Sequence, residues 1–241
     1  MRILLDGRGE VATRAGWLLL GERDLERLGL WRRRPRGDDR RLAEARTVEG
    51  FDVVVTDAED PGALVALAGE AGVPAVVWVD AIGAHRGDTP VLVGANVGSG
   101  LAPALAAHES ANAETPGLVE IAWTEPGRPL RRGHAVRFPE PVGPRWARER
   151  RRNGHVRYFA APTPGEWAGV LVRMAGVSER IVGVADLAVH LEALSLAAGA
   201  LVAAAGALRG RRGVVTVAEV AEAYLDVLLE LGLEVAEWRS H

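Results

Sequence analysis

Short, near-continuous apolar runs punctuate the N-terminal part of the chain at Arg2–Leu5, Leu28–Trp31, Phe51–Thr56, Ala75–Val79 and Val91–Gly94. Runs without polar alternation suit strands buried on both faces, and helix-compatible stretches between most of them suit parallel crossovers. The pattern predicts an α/β fold with a doubly wound parallel sheet. Its clearest crossover helix is Asp60–Gly72. Asp60 is placed to cap it, Pro61 to open its first turn, Leu64 with Leu67 and Ala68 to form the buried stripe, and Gly72 to end it. The connection from Asp80 to Pro90 is barely long enough for a helix, so an element there is expected to be shortened or lost.

Beyond Leu118 the pattern changes. Leu118–Thr124 and Pro129–Phe138 flank Glu125, Pro126, Gly127 and Arg128, which predicts a hairpin across a Pro-Gly turn and the start of antiparallel or mixed sheet. Thr163 with Glu166 reads as a capping box opening a helix through Met174, and Thr216 with Glu219 as another opening a helix through Leu231. Between them, Ile181–Val184 reads as a strand, followed by an Ala-rich helix over Leu187–Leu208. The expected organisation is a dinucleotide-binding unit over residues 1–97 and a smaller α+β unit over 98–241 with C-terminal helices, the boundary falling near Asn96–Gly100.

Composition narrows the chemistry. The chain has 241 residues, 48% hydrophobic and 25% charged, with a net charge of -3 and no cysteine. Ordinary globular usage leaves room for a proper core. The acidic balance gives no field for phosphate backbones or anionic membranes, so neither nucleic acid nor membrane is an expected partner. The apolar stretch Leu194–Leu208 falls short of the roughly 20 residues that span a bilayer. The opening run Ile3–Leu5 is too short for a signal peptide, and a cytoplasmic protein is expected. Every basic side chain apart from histidine is arginine. With no lysine, a P-loop lysine, a Schiff base and a Tyr-x-x-x-Lys pair are all excluded.

The first strand ends in Gly7, Arg8, Gly9, Glu10, Val11 and Ala12, a G-x-G-x-x-A match that opens a helix. Gly7 suits the tight turn, Gly9 lets backbone approach a pyrophosphate, and Ala12 keeps helix and strand close; the helix N-terminus offers free N–H groups to the anion. Glu10 counts against the match unless its carboxylate points away. Arg32, Arg33 and Arg34 close the second strand, where an NAD-specific fold places an acidic residue on the ribose 2′-hydroxyl. The run points to NADP, with NAD possible, and a solvated arginine run is the plain alternative. Thr56 and Asp57, at the end of the third run, belong to the same candidate cofactor site.

Weaker patterns remain. The loop Gly94–Gly100, with Asn96 and Gly98, serves equally as an anion cradle or a domain hinge. The six histidines show no ligand spacing, so no metal is expected. Ser99 lacks a nucleophile elbow. Arg145–Arg157 reads as a solvated face or partner contact. The seven scattered tryptophans read as core rather than as stacking platforms.

The segments ILLDGRGEVA, VLVGANVGSGLAPALA and VRFPEPVG resemble the saccharopine dehydrogenase and dihydrodipicolinate reductase group of nicotinamide oxidoreductases. That resemblance implies a Rossmann domain, a mixed-sheet second domain and a dimer, without naming a substrate. The lysine general acid of dihydrodipicolinate reductases is absent. The reading that follows is NAD(P)-dependent chemistry on a small carbonyl, imine or amino-acid-like compound, with His134, His108, Asp80 and Tyr158 as candidates for the proton. The alternatives are a dinucleotide-binding protein without catalysis and, on the echo in Asp6–Gly9, an S-adenosylmethionine-dependent methyltransferase. A homodimer is expected, with the hairpin's open sheet or the Ala-rich helix as its surface.

Overall fold

The computed structural model describes residues 1–83, 85, 87–111, 117–176 and 179–240, residues 238–240 by backbone alone. Two seven-stranded sheets share one core. The first is built from β1 (Arg2–Asp6), β2 (Arg27–Trp31), β3 (Leu42–Ala45), β4 (Val53–Thr56), β5 (Ala75–Val77) and β6 (Val91–Val93), and is completed by β13 (Val214–Thr216). Its order is β13-β6-β5-β4-β1-β2-β3, with every pairing parallel. Ile3, Leu5, Val53 and Val55 face one layer, packing with α1 (Glu10–Gly21) and α4 (Ala188–Ala204). Leu4, Val54 and Val77 face the other, under Leu64, Val65 and Ala68 of α2 (Gly62–Glu70). Burial on both faces explains why these strands read as unbroken apolar runs.

The second sheet has the order β14-β12-β11-β7-β10-β9-β8. Its strands are β7 (Leu118–Glu125), β8 (His134–Arg137), β9 (Pro144–Asn153), β10 (Val156–Pro162), β11 (Trp167–Ala175), β12 (Glu179–Leu187) and β14 (Ala236–Ser240). The pairings are antiparallel except for β7 with β10, so the sheet is mixed. Val119, Ile121, Val170, Val172 and Val182 meet α3 (Ala102–Ala111), α4 and α5 (Ala221–Glu230) in the cluster that also holds the first sheet's core residues.

Several expectations are corrected. Leu118–Thr124 and Pro129–Phe138 form no hairpin: β7 pairs with β10 and β11, and β8 pairs with β9. The buried Glu120 on β7 lies between its cross-strand partners Arg157 on β10 and Arg173 on β11, at 3.3 and 3.1 Å. A buried carboxylate selects neighbours that neutralise it. Thr163 and Glu166 open no helix, because Trp167–Ala175 is β11, buried on both faces, and its continuous apolar run carries no period that separates strand from helix. Arg145–Arg157 spans β9 and the start of β10, and its β9 arginines are exposed, as a solvated face would be. The box of Thr216 and Glu219 is present, opening a short 3-10 turn over Val217–Val220 ahead of α5. Between Asp80 and Pro90 no helix forms among the described residues; Ala84 and Arg86 lie outside them. Because β13 returns to the first sheet, residues beyond Asn96 contribute to both sheets.

Candidate functional site

The turn from β1 to α1 is a glycine turn for steric reasons. Gly7 has φ 143, a region closed to side chains, and a Cβ there would stand 2.5 Å from Ala12 Cβ and overlap the Asp57 carboxylate. Gly9 is the N-cap of α1 with no side-chain cap of its own, and a Cβ on it would stand 3.5 Å from Asp57 Oδ2. The free end of α1 is served instead by Asp57, whose Oδ2 accepts the Ala12 N–H at 3.2 Å. Thr13 Oγ1 donates back to the Gly9 carbonyl at 2.9 Å, and Thr56 Oγ1 donates to Asp6 Oδ2 at 3.1 Å. Burial pushes the Asp57 carboxyl above its ordinary range, and Asp6 adds to the rise, against the Ala12 N–H and Arg33. Arg8, Glu10 and Val11 complete the turn, with Arg8 and Glu10 exposed and Val11 half-buried.

The three arginines closing β2 part company. Arg33 turns inward and donates through Nη1 to the Gly7 carbonyl at 2.9 Å, which fixes a guanidinium on the turn. Arg32 adopts φ 50 and lies 4.9 Å over the Trp31 ring. Arg34 is 91% exposed and 3.9 Å from Glu44.

A second constellation sits at the carboxyl ends of β5 and β6. Asn96 Nδ2 donates to the Trp78 carbonyl at 2.7 Å and to Asp80 Oδ1 at 2.6 Å, while its Oδ1 accepts from the Ser99 N–H at 2.8 Å. It thereby caps a π-helical turn over Val97–Leu101. Gly98 lies under Trp123 of the second sheet, where a Cβ would stand 2.9 Å from the indole nitrogen. From α4, Glu192 Oε2 accepts from Trp78 Nε1 at 2.7 Å and from the Val97 N–H at 3.2 Å. Oε1 has no hydrogen-bond partner among the described residues. Burial pushes this carboxyl upward, Asp80 adds to the rise, and the two hydrogen bonds oppose it.

The four proton-handling candidates are not brought together. Asp80 alone lies in this constellation. His134 is on β8, stacked at 4.1 Å on Phe159 and 3.4 Å from Glu120. Tyr158 is on β10 beneath Arg151, and His108 is exposed in the last turn of α3. Sequence reasoning missed Glu192 and Trp78. Glu192 did carry a signal, as a lone carboxylate inside an Ala- and Leu-rich helix that is otherwise buried from Ala193 to Ala203. Among the described residues no group of His, Cys, Asp and Glu could hold a metal ion, and no helix is long and apolar enough to cross a membrane.

No family model and no curated protein matches the chain by sequence. Solved structures do match it by fold. Dihydrodipicolinate reductase from Paenisporosarcina sp. TG-14, bound to dipicolinate, superposes with a TM-score of 0.54 at 13% identity over 91% of this chain and 98% of that one. The DAP dehydrogenase of C. glutamicum, in complex with DAP, gives 0.55 at 14% over 97% and 99%. An engineered D-amino acid dehydrogenase bound to NADP+ gives 0.54 at 12% over 97% and 99%. The chain therefore shares the two-sheet fold of these dehydrogenases and this reductase, the fold that the resemblance implied.

Proposed function

We propose that the chain is an NADP-dependent oxidoreductase acting on a small carbonyl, imine or amino-acid-like compound. The observation that carries this reading is the guanidinium of Arg33 fixed on the Gly7 carbonyl, beside an α-helix N-terminus with no side-chain cap at Gly9. The residues fit a dinucleotide. Gly7 and Gly9 leave backbone open to a pyrophosphate once Asp57 yields the Ala12 N–H, with Arg8 beside it and Glu10 and Val11 in the first turn of α1. Arg33, flanked by Arg32 and Arg34, supplies the cation for a 2′-phosphate. Thr56 and Asp57 border the adenosine side, and Asn96 and Gly98 the nicotinamide side. When bound, the cofactor would supply a hydride. This chain's own part is to orient it and to handle one proton, which the reading gives to Glu192 with Asp80 beside it.

A thermal-shift panel of NADPH, NADH and S-adenosylmethionine tests this. A ligand at 100 times its Kd adds about 2.7 kcal/mol, which at about 2–4 °C per kcal/mol for a chain of this size is roughly 5–10 °C. NADPH should give that shift, and Arg33→Ala should weaken NADPH by about 10- to 100-fold, one charge-assisted hydrogen bond's worth, while NADH changes little. Equal wild-type affinities for NADPH and NADH would refute the 2′-phosphate assignment. A larger shift with S-adenosylmethionine would transfer the chain to the methyltransferases. The scatter of His134, His108 and Tyr158 favours a second reading, dinucleotide binding without catalysis, and binding without NADPH oxidation over a panel of keto acids with ammonia would select it.

Asp57 holds a backbone N–H that an incoming anion would take. Its carboxyl is raised, so it becomes neutral at a higher pH than an ordinary aspartate, and dinucleotide affinity should strengthen as pH falls through that titration. Asp57→Asn should remove this dependence and tighten NADPH at neutral pH by about fivefold, the worth of a unit-charge contact of about 1 kcal/mol at 4 Å in water. Calorimetric titrations between pH 5 and 8 check it. An unchanged pH profile in the variant would show that Asp57 is displaced at no cost.

The homodimer belongs to the proposal, though not on the surfaces first expected. The hairpin does not exist, and α4 is buried within its own chain. The open edge strand β8 and Trp146, 46% exposed on neighbouring β9, offer a surface instead. Light scattering at micromolar concentration should return twice the 25.6 kDa chain mass, and a monomer mass would remove the dimer.

A further inference from the structure

In a doubly wound sheet, the connection between β2 and β3 ordinarily carries a helix that covers both strands. Here it is the ten-residue segment 32–41, RRRPRGDDRR, with no helix in it. The segment is tied at both ends. Arg33 holds the Gly7 carbonyl, while Arg41 pairs with Asp39 at 2.8 Å and donates to the carbonyls of Leu20 at 2.7 Å and Glu22 at 3.2 Å at the end of α1.

What remains is a cavity of 760 Å3 with an apolar floor and a cationic wall. Leu5, Leu28, Leu30 and Leu42 form the floor, and α1 gives one side, where Gly16 widens it and Trp17, 65% exposed, stands at the rim. Arg8, Arg33, Arg34 and Arg36 line it, and no carboxylate does. Among the described residues neither Arg8 nor Arg36 has a hydrogen-bond or ion-pair partner. The volume lies within the usual range for small-molecule sites, about 300–1,000 Å3, which combine apolar walls with a few placed charges. Four guanidiniums over leucines call for one kind of occupant, with an apolar body and an anionic head.

We propose that this groove binds a single-chain amphiphilic anion, an acyl carboxylate or alkyl phosphate, with the chain laid along the half-buried Leu20 and Leu42 above the buried leucines of the floor and the head between Arg34 and Arg36. Arg8, Arg33 and Arg34 also belong to the proposed dinucleotide site, so the head group and a 2′-phosphate would compete there, whereas Arg36 and the leucine floor belong to the groove alone.

The probes are dodecanoate and dodecyl phosphate, with dodecyltrimethylammonium as the control of opposite charge, titrated by calorimetry below their micelle concentrations. Both anions should bind with one-to-one stoichiometry and the cation should not. The tighter of the two anions identifies the head group. Arg36→Glu, an exposed substitution without risk to the fold, should weaken the anions at least about tenfold, as loss of one charge-assisted contact and its replacement by repulsion require. 12-Bromododecanoate should quench tryptophan emission in the wild type and much less in Trp17→Phe, whose calorimetric affinity stays close to wild type; this places the chain in the groove. Equal binding of the cation would mean surfactant adsorption and overturn the proposal. So would anion binding indifferent to Arg36→Glu. If no anion binds and Arg36→Glu instead converts a dimer to a monomer, the groove is covered by a second copy and the ligand assignment fails.

Discussion

Gly9→Asp should abolish dinucleotide binding while leaving the fold intact, and Gly7→Ala should destabilise the fold. The two glycines, two residues apart, do different work. Gly7 has φ 143, and its missing Cβ is the space taken by Ala12 and the Asp57 carboxylate. An alanine there meets backbone strain of about 1–3 kcal/mol and must also displace Asp57 from the end of α1. The strain alone lowers the melting temperature by roughly 2–12 °C on the per-kcal scaling for a chain of this size. Gly9 has φ −76, open to any residue, and an added Cβ meets Asp57 Oδ2 only at 3.5 Å. Gly9→Ala should therefore melt like the wild type. Aspartate at that position brings a second carboxylate beside Asp57 into the space of the pyrophosphate. Like charges brought together at a binding surface cost several kcal/mol, so NADPH affinity should fall by about a thousandfold or more. Circular dichroism and calorimetric titration on the three variants check it. Unchanged NADPH affinity in Gly9→Asp with an intact spectrum would reduce the motif to a turn.

What made this turn legible in advance was its context, a G-x-G-x-x-A placed between an apolar run and a helix. The same logic found the parallel strands, since a strand buried on both faces writes its burial directly into composition. It failed on β11 for that same reason: WAGVLVRMA is apolar without a period, and a plausible capping box ahead of it tipped the reading to helix. The strands β9 and β10 were hidden by their arginines, which read as a solvated face. The place of Arg157 on β10 is visible only once Glu120 is seen between it and Arg173 of β11, a relation between residues far apart in the chain. β3 was missed because LAEA is four half-polar residues at a sheet edge. Of the proton-handling candidates, Asp80 alone lies in the constellation around Asn96. Histidines and tyrosines were chosen by residue type, whereas the group that gathers at the carboxyl edge of the first sheet is a glutamate delivered from α4, nearly a hundred residues after the Val97 backbone it touches.

Glu192→Gln should cut turnover by about 100- to 10,000-fold, the usual contribution of general acid–base catalysis, while leaving NADPH affinity nearly unchanged. The geometry separates the two effects. Oε2 is occupied by Trp78 Nε1 and the Val97 N–H, and a glutamine oxygen can accept both of these bonds, so the loop over Val97–Leu101 keeps its position. Only Oε1, free of hydrogen bonds among the described residues, loses the ability to take up or release a proton. Stability supplies a readout of opposite sign. The folded carboxyl titrates above its unfolded value, so its contribution to stability is fully present below the unfolded pKa and is lost as pH rises through the folded one. Glutamine is neutral at every pH. Relative to the wild type, the variant should therefore gain melting temperature on moving from acid to neutral pH, while its activity falls. Glu192→Asp keeps the proton but retracts the carboxylate from Trp78, and should recover part of the turnover. Loss of melting temperature at neutral pH together with loss of NADPH affinity would mean that Glu192 serves only to hold the loop, and the proton would then pass to Asp80, the carboxylate tied to Asn96.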